Sequence, residues 1–503
     1  MIKNKTKVII SLLLITSIIF VGCGRKNEED TTISDKVTVS GSTSVGPLME
    51  KEAEKFKEEN LQKNLKNRHI QMIAIGSAIG AGLFYGSANA INLAGPSISL
   101  AYLIGGIFIL FIMRALGELA ADDPTSGSFS EYATKYFGKS AGFFTGWTYW
   151  LQCTLSIMAE ITAIGIYIQF WAPNFPTWIT ALICLIVLLF INLLGVKYYG
   201  ELEFWFSIIK VIAIICMIIM GFLMIFFGFA NSGQPIGISN LWKNGGFFPN
   251  GISGFLLSFI FVTFAFGGVE LIGITAGEAK NPKESIPKAI NNVFWRILLF
   301  YVGSMFVMLS IYNWNEIGVN GSPFVFIFDK VGIPYAASII NFVVTTAAFS
   351  SMNSNLYVDG RMLYSLSLNN NAPKIFSKIS KSGIPYIGIL FSTLLLGIVV
   401  ILNYIVPGKV FTYISSLTTL AILTTWSTIL LAQLKSRKEK IKGQKEITFK
   451  MPFYPFSSYI TLIYLGIICI ALTLLPTTRI AFLVAPIWVI FLCILYRCVA
   501  KSK

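Results

Sequence analysis

From residue 70 onward the chain alternates long apolar runs with short polar segments. A bilayer core takes about 20 apolar residues per helix. Twelve runs meet or approach that length, at 70–92, 95–117, 141–171, 178–195, 203–227, 252–277, 292–312, 332–357, 385–405, 408–432, 456–475 and 478–498. The longer ones exceed one perpendicular crossing, and helix tilt absorbs the excess. Between the runs at 385–405 and 408–432 stands little but Pro407-Gly408, a turn signal. The pattern predicts an all-α integral membrane fold with 12 transmembrane helices.

Composition points the same way. Of 503 residues, 55% are hydrophobic and only 13% are charged, against roughly 25% charged in a soluble domain. Such a chain cannot cover a water-facing surface of its size, so the lipid bilayer is its expected surroundings. The net charge of +15 does not mark a nucleic-acid binder. The basic residues form no stripe with interleaved aromatics and gather instead in the segments between runs. Taken alternately, those segments divide unevenly. Arg114, Lys135, Lys139, Lys197, Lys280, Lys283, Lys288, Arg361, Lys374, Lys378, Lys381 and the cluster Lys435 to Lys450 fall on one side. Only Lys243, Lys330, Lys409 and Arg479 fall on the other. The positive-inside bias then places both ends of the helical unit in the cytoplasm. Of the seven cysteines, all but Cys23 lie within or beside apolar runs, without metal-ligand spacing, and read as small core residues. His69 is the only histidine, which excludes a His-based triad and a His-rich metal site. With no nucleophile–base pair and no metal cluster in the pattern, neither an enzyme nor a cofactor is expected.

The first sixty residues do not match the rest of the chain. Met1 to Lys7 is basic, Val8 to Val21 is apolar, and Gly22-Cys23-Gly24 ends the run, the layout of a bacterial secretory signal. Phe20-Val21-Gly22-Cys23 resembles a lipoprotein cleavage box in which the cysteine is lipidated. The stretch Val37 to Pro47, with Gly41-Ser42-Thr43-Ser44 at its centre, followed by the charged Met49 to Glu59, resembles the start of phosphate-binding lipoproteins of ABC uptake systems. There a turn meets phosphate at a helix N-terminus. Here the resemblance stops near Asn60, and a turn without its fold cannot bind phosphate. Residues 1–60 therefore read as a fusion or gene-model artefact, apart from a transport unit at 61–503. An exported Cys23 would leave residues 24–60 outside, whereas Lys63, Lys66 and Arg68 favour a cytoplasmic start for the next run. The bias of the later loops favours the second arrangement.

Two runs contain segments that a plain lipid-facing helix avoids. The first carries Gly76-Ser77-Ala78-Ile79-Gly80-Ala81-Gly82, and the sixth carries Phe264-Ala265-Phe266-Gly267-Gly268-Val269-Glu270. Five spans separate them, so they occupy corresponding positions of two five-helix halves. Paired glycine interruptions of this kind point to the binding site of an inverted-repeat transporter. Amides freed at the start of a half-helix can hold a carboxylate. The candidate substrate-binding residues are Ser77, Ala78, Gly80, Ala81 and Gly82 in the first segment, with Phe264, Gly267 and Gly268 in the second. The competing reading of each segment alone is close helix packing through small residues, which Gly76-xxx-Gly80 also fits. Three ionisable residues, Glu160, Lys210 and Glu270, fall inside the expected spans. A charge at the bilayer centre costs about 2.5–3.5 kcal/mol on the insertion scale, so all three are candidates for proton coupling. Lys210 reads either as a lysine snorkelling to the interface or as a proton carrier. Glu270 reads as a proton shuttle or as a cap on the lower half-helix. Glu160 either pairs with Lys210 across the bundle or faces a water-filled vestibule.

The segments Asn67-Arg68-His69-Ile70-Gln71, Gly76 through Ser87, Ala94-Gly95-Pro96-Ser97, Met113-Arg114-Ala115-Leu116-Gly117-Glu118 and Gly200-Glu201-Leu202-Glu203-Phe204-Trp205-Phe206 resemble the amino acid transporter family of the APC (amino acid–polyamine–organocation) superfamily. Ile274 to Pro282 and the loop from Asn240-Leu241-Trp242 to Phe247-Phe248 look most like proline-specific permeases. D-serine/D-alanine/glycine and 4-aminobutyrate permeases come next. The resemblance covers residues 61 to 500 or so and implies a 5+5 inverted repeat with discontinuous helices 1 and 6 and two appended helices. It also implies proton-coupled uptake, with the Lys210 ammonium beside the helix-one break and Phe264 as an aromatic gate. An ordinary core phenylalanine is the other reading of Phe264. Ala81 departs from the family pattern, since many relatives have threonine there. The expected function is proton symport of a small neutral amino acid, proline first, in the bacterial cytoplasmic membrane. The rivals are an exchanger for alanine, glycine, serine or 4-aminobutyrate, and a phosphate-binding lipoprotein component.

Overall fold

The computed structural model describes residues 79–501, apart from 124, 126, 195, 276–281, 318–320, 331–334, 381 and 445. Within these residues the regular structure is helical throughout. The expectations for residues 1–60, and for Ser77 and Ala78, lie outside the described residues. In chain order the helices are α1 Ala81–Phe84, α2 Gly86–Ala94, α3 Ile98–Asp122, α4 Phe129–Phe137, α5 Lys139–Trp171 and α6 Thr177–Leu194. There follow α7 Val196–Phe227, α8 Gly251–Phe266, α9 Leu271–Thr275, α10 Pro282–Arg296 and, beyond a π-helical turn Ile297–Gly303, α11 Ser304–Ile311. The remainder are α12 Pro323–Lys330, α13 Ala336–Leu368, α14 Tyr386–Ile405, α15 Val410–Lys442, α16 Phe456–Leu474 and α17 Ile480–Lys501.

Among the described residues, ten helical segments are long and apolar enough to cross a membrane. Most lie where the apolar runs predicted them. Two of the twelve expected runs differ. The run at 70–92 is described only from Ile79, and its helix α2 continues through a short turn at Gly95–Ser97 into α3. The run at 332–357 lies largely within α13, a helix of 33 residues that is not among the ten apolar ones. Its physical setting explains this. α13 packs most extensively against α5 and also touches α7, α14 and α12. Most of its serines, its asparagines Asn341, Asn353 and Asn355, and Asp359 and Arg361 are buried inside protein, so it has little need of a lipid-compatible surface. α5 is similarly central: 78% of its most apolar window lies inside the protein, against 17% for α17. Of the cysteines read as core residues, Cys153 and Cys184 are buried, but Cys216, Cys493 and Cys498 are exposed on outward-facing helix sides.

α15 runs ten residues beyond the expected end at 432. The extension is charged, and it ties the basic end of the bundle together. Arg437 Nη1 donates to Glu118 Oε2 of α3 at 3.1 Å and to the Met451 carbonyl at 2.8 Å. The Met451 amide donates to the same Glu118 oxygen at 2.8 Å. Further along, Lys440 pairs with Asp122, whose other oxygen accepts from Thr448 at 3.0 Å. The Arg437 guanidinium also lies over the Tyr454 ring at 4.6 Å. The Glu118 side chain is fully buried and that of Arg437 is 11% exposed. Removing one partner of such a pair leaves the other buried and uncompensated, at a cost of about 3–5 kcal/mol. Glu118→Ala is therefore expected to lower the melting temperature of the detergent-solubilised protein by several degrees, whereas Lys438→Ala, at an exposed position beside it, leaves it unchanged. Thermal unfolding followed by tryptophan fluorescence checks both.

Candidate functional site

The two glycine-interrupted segments meet inside the bundle. Gly80 is extended, with φ −135° and ψ −155°, and the helix restarts at Ala81. The Gly80 carbonyl accepts the first bonds of this short helix, from Leu83 N at 3.1 Å and Phe84 N at 3.2 Å. Amides at the very start of a helix have no partner within it. Here the Ala81 amide donates to Glu160 Oε2 of α5 at 2.8 Å, and Ser351 of α13 stands beside the same carboxylate. The second break follows α8. Gly267 N closes a turn on the Phe264 carbonyl at 3.0 Å, Gly268 takes φ +97°, a region that favours glycine, and α9 starts at Leu271. The two breaks touch at backbone level: a Cβ on Gly82 would lie 2.6 Å from Ala265 Cα and 3.3 Å from the Phe264 carbonyl oxygen.

Between them is a narrow cavity of about 20 Å³, lined by Gly80, Gly82, Ser156, Glu160, Phe264, Ala265, Gly267, Gly268, Ser351 and Asn355. One water needs about 10–15 Å³ of such space, so the cavity has room for about one water. Aromatic rings pack over it. Phe264 meets Phe411 edge-on at 5.7 Å, and Phe411 meets Tyr85 at 4.6 Å.

The buried charges sit on the breaks. Lys210, fully buried on α7, donates to the Ile79 carbonyl at 3.3 Å and to Ser350 Oγ at 2.9 Å. The Ser350 hydroxyl in turn donates to Glu203 Oε1 at 2.6 Å. Glu203 and Glu160 are the two carboxylates whose fields reach the ammonium. Glu270, also fully buried, accepts from Gln152 Nε2 of α5 and, at 3.2 Å, from Trp426 Nε1 of α15. The Gly268 amide points at it from 3.4 Å. Gln152 is itself positioned by Thr425 Oγ1 at 2.8 Å.

Of the residues that the sequence singled out, Gly80, Gly82, Phe264, Gly267, Gly268 and Glu160 line one cavity, and Ala81 borders it through its amide. Lys210 does not snorkel; its amine ends on the carbonyl just before the first break. Glu160 sits between the two readings made of it, on a helix start and within the field of Lys210. Glu270 holds the second break from the side rather than lining the cavity. Ser156, Ser351, Asn355, Ala265 and Glu203 escaped sequence reasoning. The signal for those on α13 was present: Ser350, Ser351, Ser354 and Asn355 recur at helical spacing inside an otherwise apolar run. Glu203 lies at the very edge of the expected span at 203–227, where a carboxylate reads as interfacial.

A sequence model of the family described as Amino acid permease matches residues 69–503. The chain is also similar to curated proteins of Bacillus subtilis. It is 52% identical over 439 residues to "Uncharacterized amino acid permease YtnA", covering 87% of this chain and 95% of that protein. It is 50% identical over 441 residues to "Amino-acid permease AapA", covering 88% and 95%. Over 438 residues it is 47% identical to "Probable threonine/serine transporter YbxG", covering 87% and 95%.

The contact between Gly82 and Ala265 is backbone against backbone, so no rotamer change relieves an added methyl. Overpacking costs about 1–3 kcal/mol even where neighbours can yield. Gly82→Ala is expected to reduce uptake of any carried amino acid into cells by an order of magnitude or more. Gly86→Ala, whose added Cβ meets its nearest neighbour at 3.7 Å, is expected to retain uptake. Transport assays normalised to membrane content separate the two.

Proposed function

The chain belongs to the amino acid permease family, and from that premise we propose that it imports a small neutral amino acid together with a proton. As a member of that family it is a transporter, not an enzyme, and a multi-pass protein of the bacterial cell membrane. The observation that carries the proposal is the Ala81 amide, which faces a carboxylate at the start of a half-helix inside the bundle. In the proposed cycle the substrate carboxylate takes the amides at Ala81 and Gly82. The substrate amine takes carbonyls around Phe264 and Gly267. Glu160 holds the first of those amides here, so substrate and ionised Glu160 compete for it. A proton on Glu160 removes the charge that holds it there, and this links proton and substrate binding. Lys210 answers the change of charge from the other side of the break, through the Ile79 carbonyl.

The wider architecture belongs to the same reading: twelve spanning helices as a 5+5 inverted repeat plus two, with both ends of the unit in the cytoplasm. The paired breaks and the one-sided distribution of Lys and Arg support it. Residues 1–60 are proposed to form a segment separate from this unit, and the family match begins beyond them, at residue 69. Proline is the first substrate to test, on the motifs around Ile274 to Pro282 and Asn240 to Phe248. A hydroxylic amino acid is the second reading, favoured by the printed name of YbxG and by the hydroxyls of Ser156 and Ser351 in the cavity wall.

The test is uptake of radiolabelled proline and serine into proteoliposomes, with and without an inward proton gradient. One charge moved through 100 mV gains about 2.3 kcal/mol, an accumulation of roughly fifty-fold. Wild-type protein is expected to accumulate one of the two substrates when a gradient is imposed. Lys210→Ala is expected to equilibrate it without accumulation. Glu160→Gln is expected to bind substrate with an affinity that no longer varies with pH. Uptake indifferent to the gradient but dependent on internal amino acid would make the protein an exchanger.

A further inference from the structure

One more carboxyl group lies inside the bundle and takes no part in either break. Asp359 of α13 is fully buried. Its Oδ2 accepts one hydrogen bond, from Thr154 Oγ1 of α5 at 3.0 Å, and its Oδ1 is buried without one. Ser392 of α14 stands close by and accepts the Trp150 indole N–H at 2.9 Å. Among the described residues no Lys or Arg forms an ion pair with Asp359. Arg361, two positions on, projects from another side of the helix and lies over the Tyr357 ring at 3.2 Å. The titratable groups that face the Asp359 carboxyl are the buried phenol of Tyr149 and the buried thiol of Cys153, both on α5. Both also lie within the field of Glu270.

Its position along the bundle gives this carboxyl a direction. Ser351, Asn355 and Asp359 follow at intervals of four on one face of α13, about 6 Å apart along the axis. The first two line the cavity. α5 runs antiparallel across from them, with Glu160 beside Ser351, Ser156 in the cavity wall and Thr154 at Asp359. The polar face of α13 thus leaves the cavity and ends on a carboxyl. It points toward the ends of α5 and α13 that join the Lys- and Arg-rich loops, the cytoplasmic side in the orientation proposed above. Fastening α5 to α13 does not require an ionisable group, because a neutral amide would accept the Thr154 bond equally well. Ionisable residues at membrane depth are costly and commonly mark proton relays.

Building on the symport reading, we propose that Asp359 is the station through which the co-transported proton leaves the cavity for the cytoplasm. The proton held at the cavity carboxyl passes to the Asp359 carboxylate through water along the polar face of α13, each water donating one proton as it accepts another, while Thr154 holds the receiving carboxylate. The cavity group becomes a carboxylate and Asp359 a neutral acid. Asp359 then releases the proton to cytoplasmic water, and no electrons move. With no cation attached, the carboxyl can complete this cycle without breaking an ion pair.

Full-length protein in proteoliposomes tests this in two assays using radiolabelled proline, or serine if proline is not carried. One is uptake driven by an inward proton gradient. The other is exchange of labelled for unlabelled substrate at equal pH, which needs no net proton release. Asp359→Asn keeps the size of the side chain and an acceptor for Thr154. A positioned proton-transfer group contributes about 10²–10⁴-fold. Driven uptake is therefore expected to fall by about tenfold or more, with exchange staying within about twofold of wild type. Asp359→Glu is expected to restore part of the driven uptake. Driven uptake of Asp359→Asn at the wild-type level overturns the proposal. So does an equal loss of both activities, which assigns the carboxyl to packing. Wild-type protein that exchanges substrate but shows no proton-driven uptake refutes the symport premise before any variant is measured.

Discussion

A helix that stops and restarts within a membrane leaves backbone N–H and C=O groups that lipid cannot satisfy, and irregular backbone at that depth survives only inside protein. Two such breaks lie at the centre of this bundle, and much of its interior chemistry supplies their partners. Glu160 takes the Ala81 amide, and Lys210 takes the Ile79 carbonyl. The Gly268 amide turns to Glu270, while the Tyr301 hydroxyl donates to the Ala265 carbonyl at 3.0 Å. Glu160, Lys210 and Tyr301 come from three different elements, and Glu270, within the second break, is itself held by Gln152 of α5 and Trp426 of α15. The breaks are therefore held by α5, α7, α15 and the segment around the π turn at once, and the polar content of those elements follows from that task.

The same partners make the breaks responsive to charge. A hydroxyl or amide partner holds a backbone group whatever the pH. A carboxylate or an ammonium does so in one protonation state only, or with very different strength in the other. At the first break both directional contacts to the irregular backbone come from ionisable groups, one of each sign. At the second, the ionisable contact from Glu270 is shared with the neutral donors Gln152 and Trp426. In the symport proposed above, the first break is therefore where protonation acts most directly.

Much of this was legible from residue order. The apolar runs marked nearly every spanning helix, because lipid demands a continuous stretch of about 20 residues. The glycines marked both breaks, because there the backbone approaches another backbone, as Gly82 approaches Ala265, or takes a conformation that favours glycine, as at Gly268. α13 was harder to read. Hydropathy reports contact with lipid, and a helix wrapped by protein is released from that demand. The residues lost to sequence reasoning share this cause: Ser351, Asn355 and Asp359 face α5, and Glu203 reaches inward from the start of α7 to Ser350. Partnerships between distant parts of the chain, such as Glu118 with Arg437, leave no local signal at all.

The packing of the wall around the cavity also limits how the protein can open. α5 and α13 meet along most of their length and are joined by directional bonds such as those from Asn341 to the Tyr167 carbonyl and from Thr154 to Asp359. Separating them would expose a long polar and apolar interface together. The broken segments are attached to that wall differently. α1 and α2 contact α8 broadly, and among the described residues the first broken segment is tied to α5 and α7 by the bonds at Ala81 and Ile79. Motion of that segment away from α5 and α7 breaks both contacts and leaves α5 on α13 intact. It also widens the cavity on the side where the freed amides lie. Both of those contacts involve ionisable side chains, so in the symport proposed above a change of protonation would act on the joint between the broken segment and the wall.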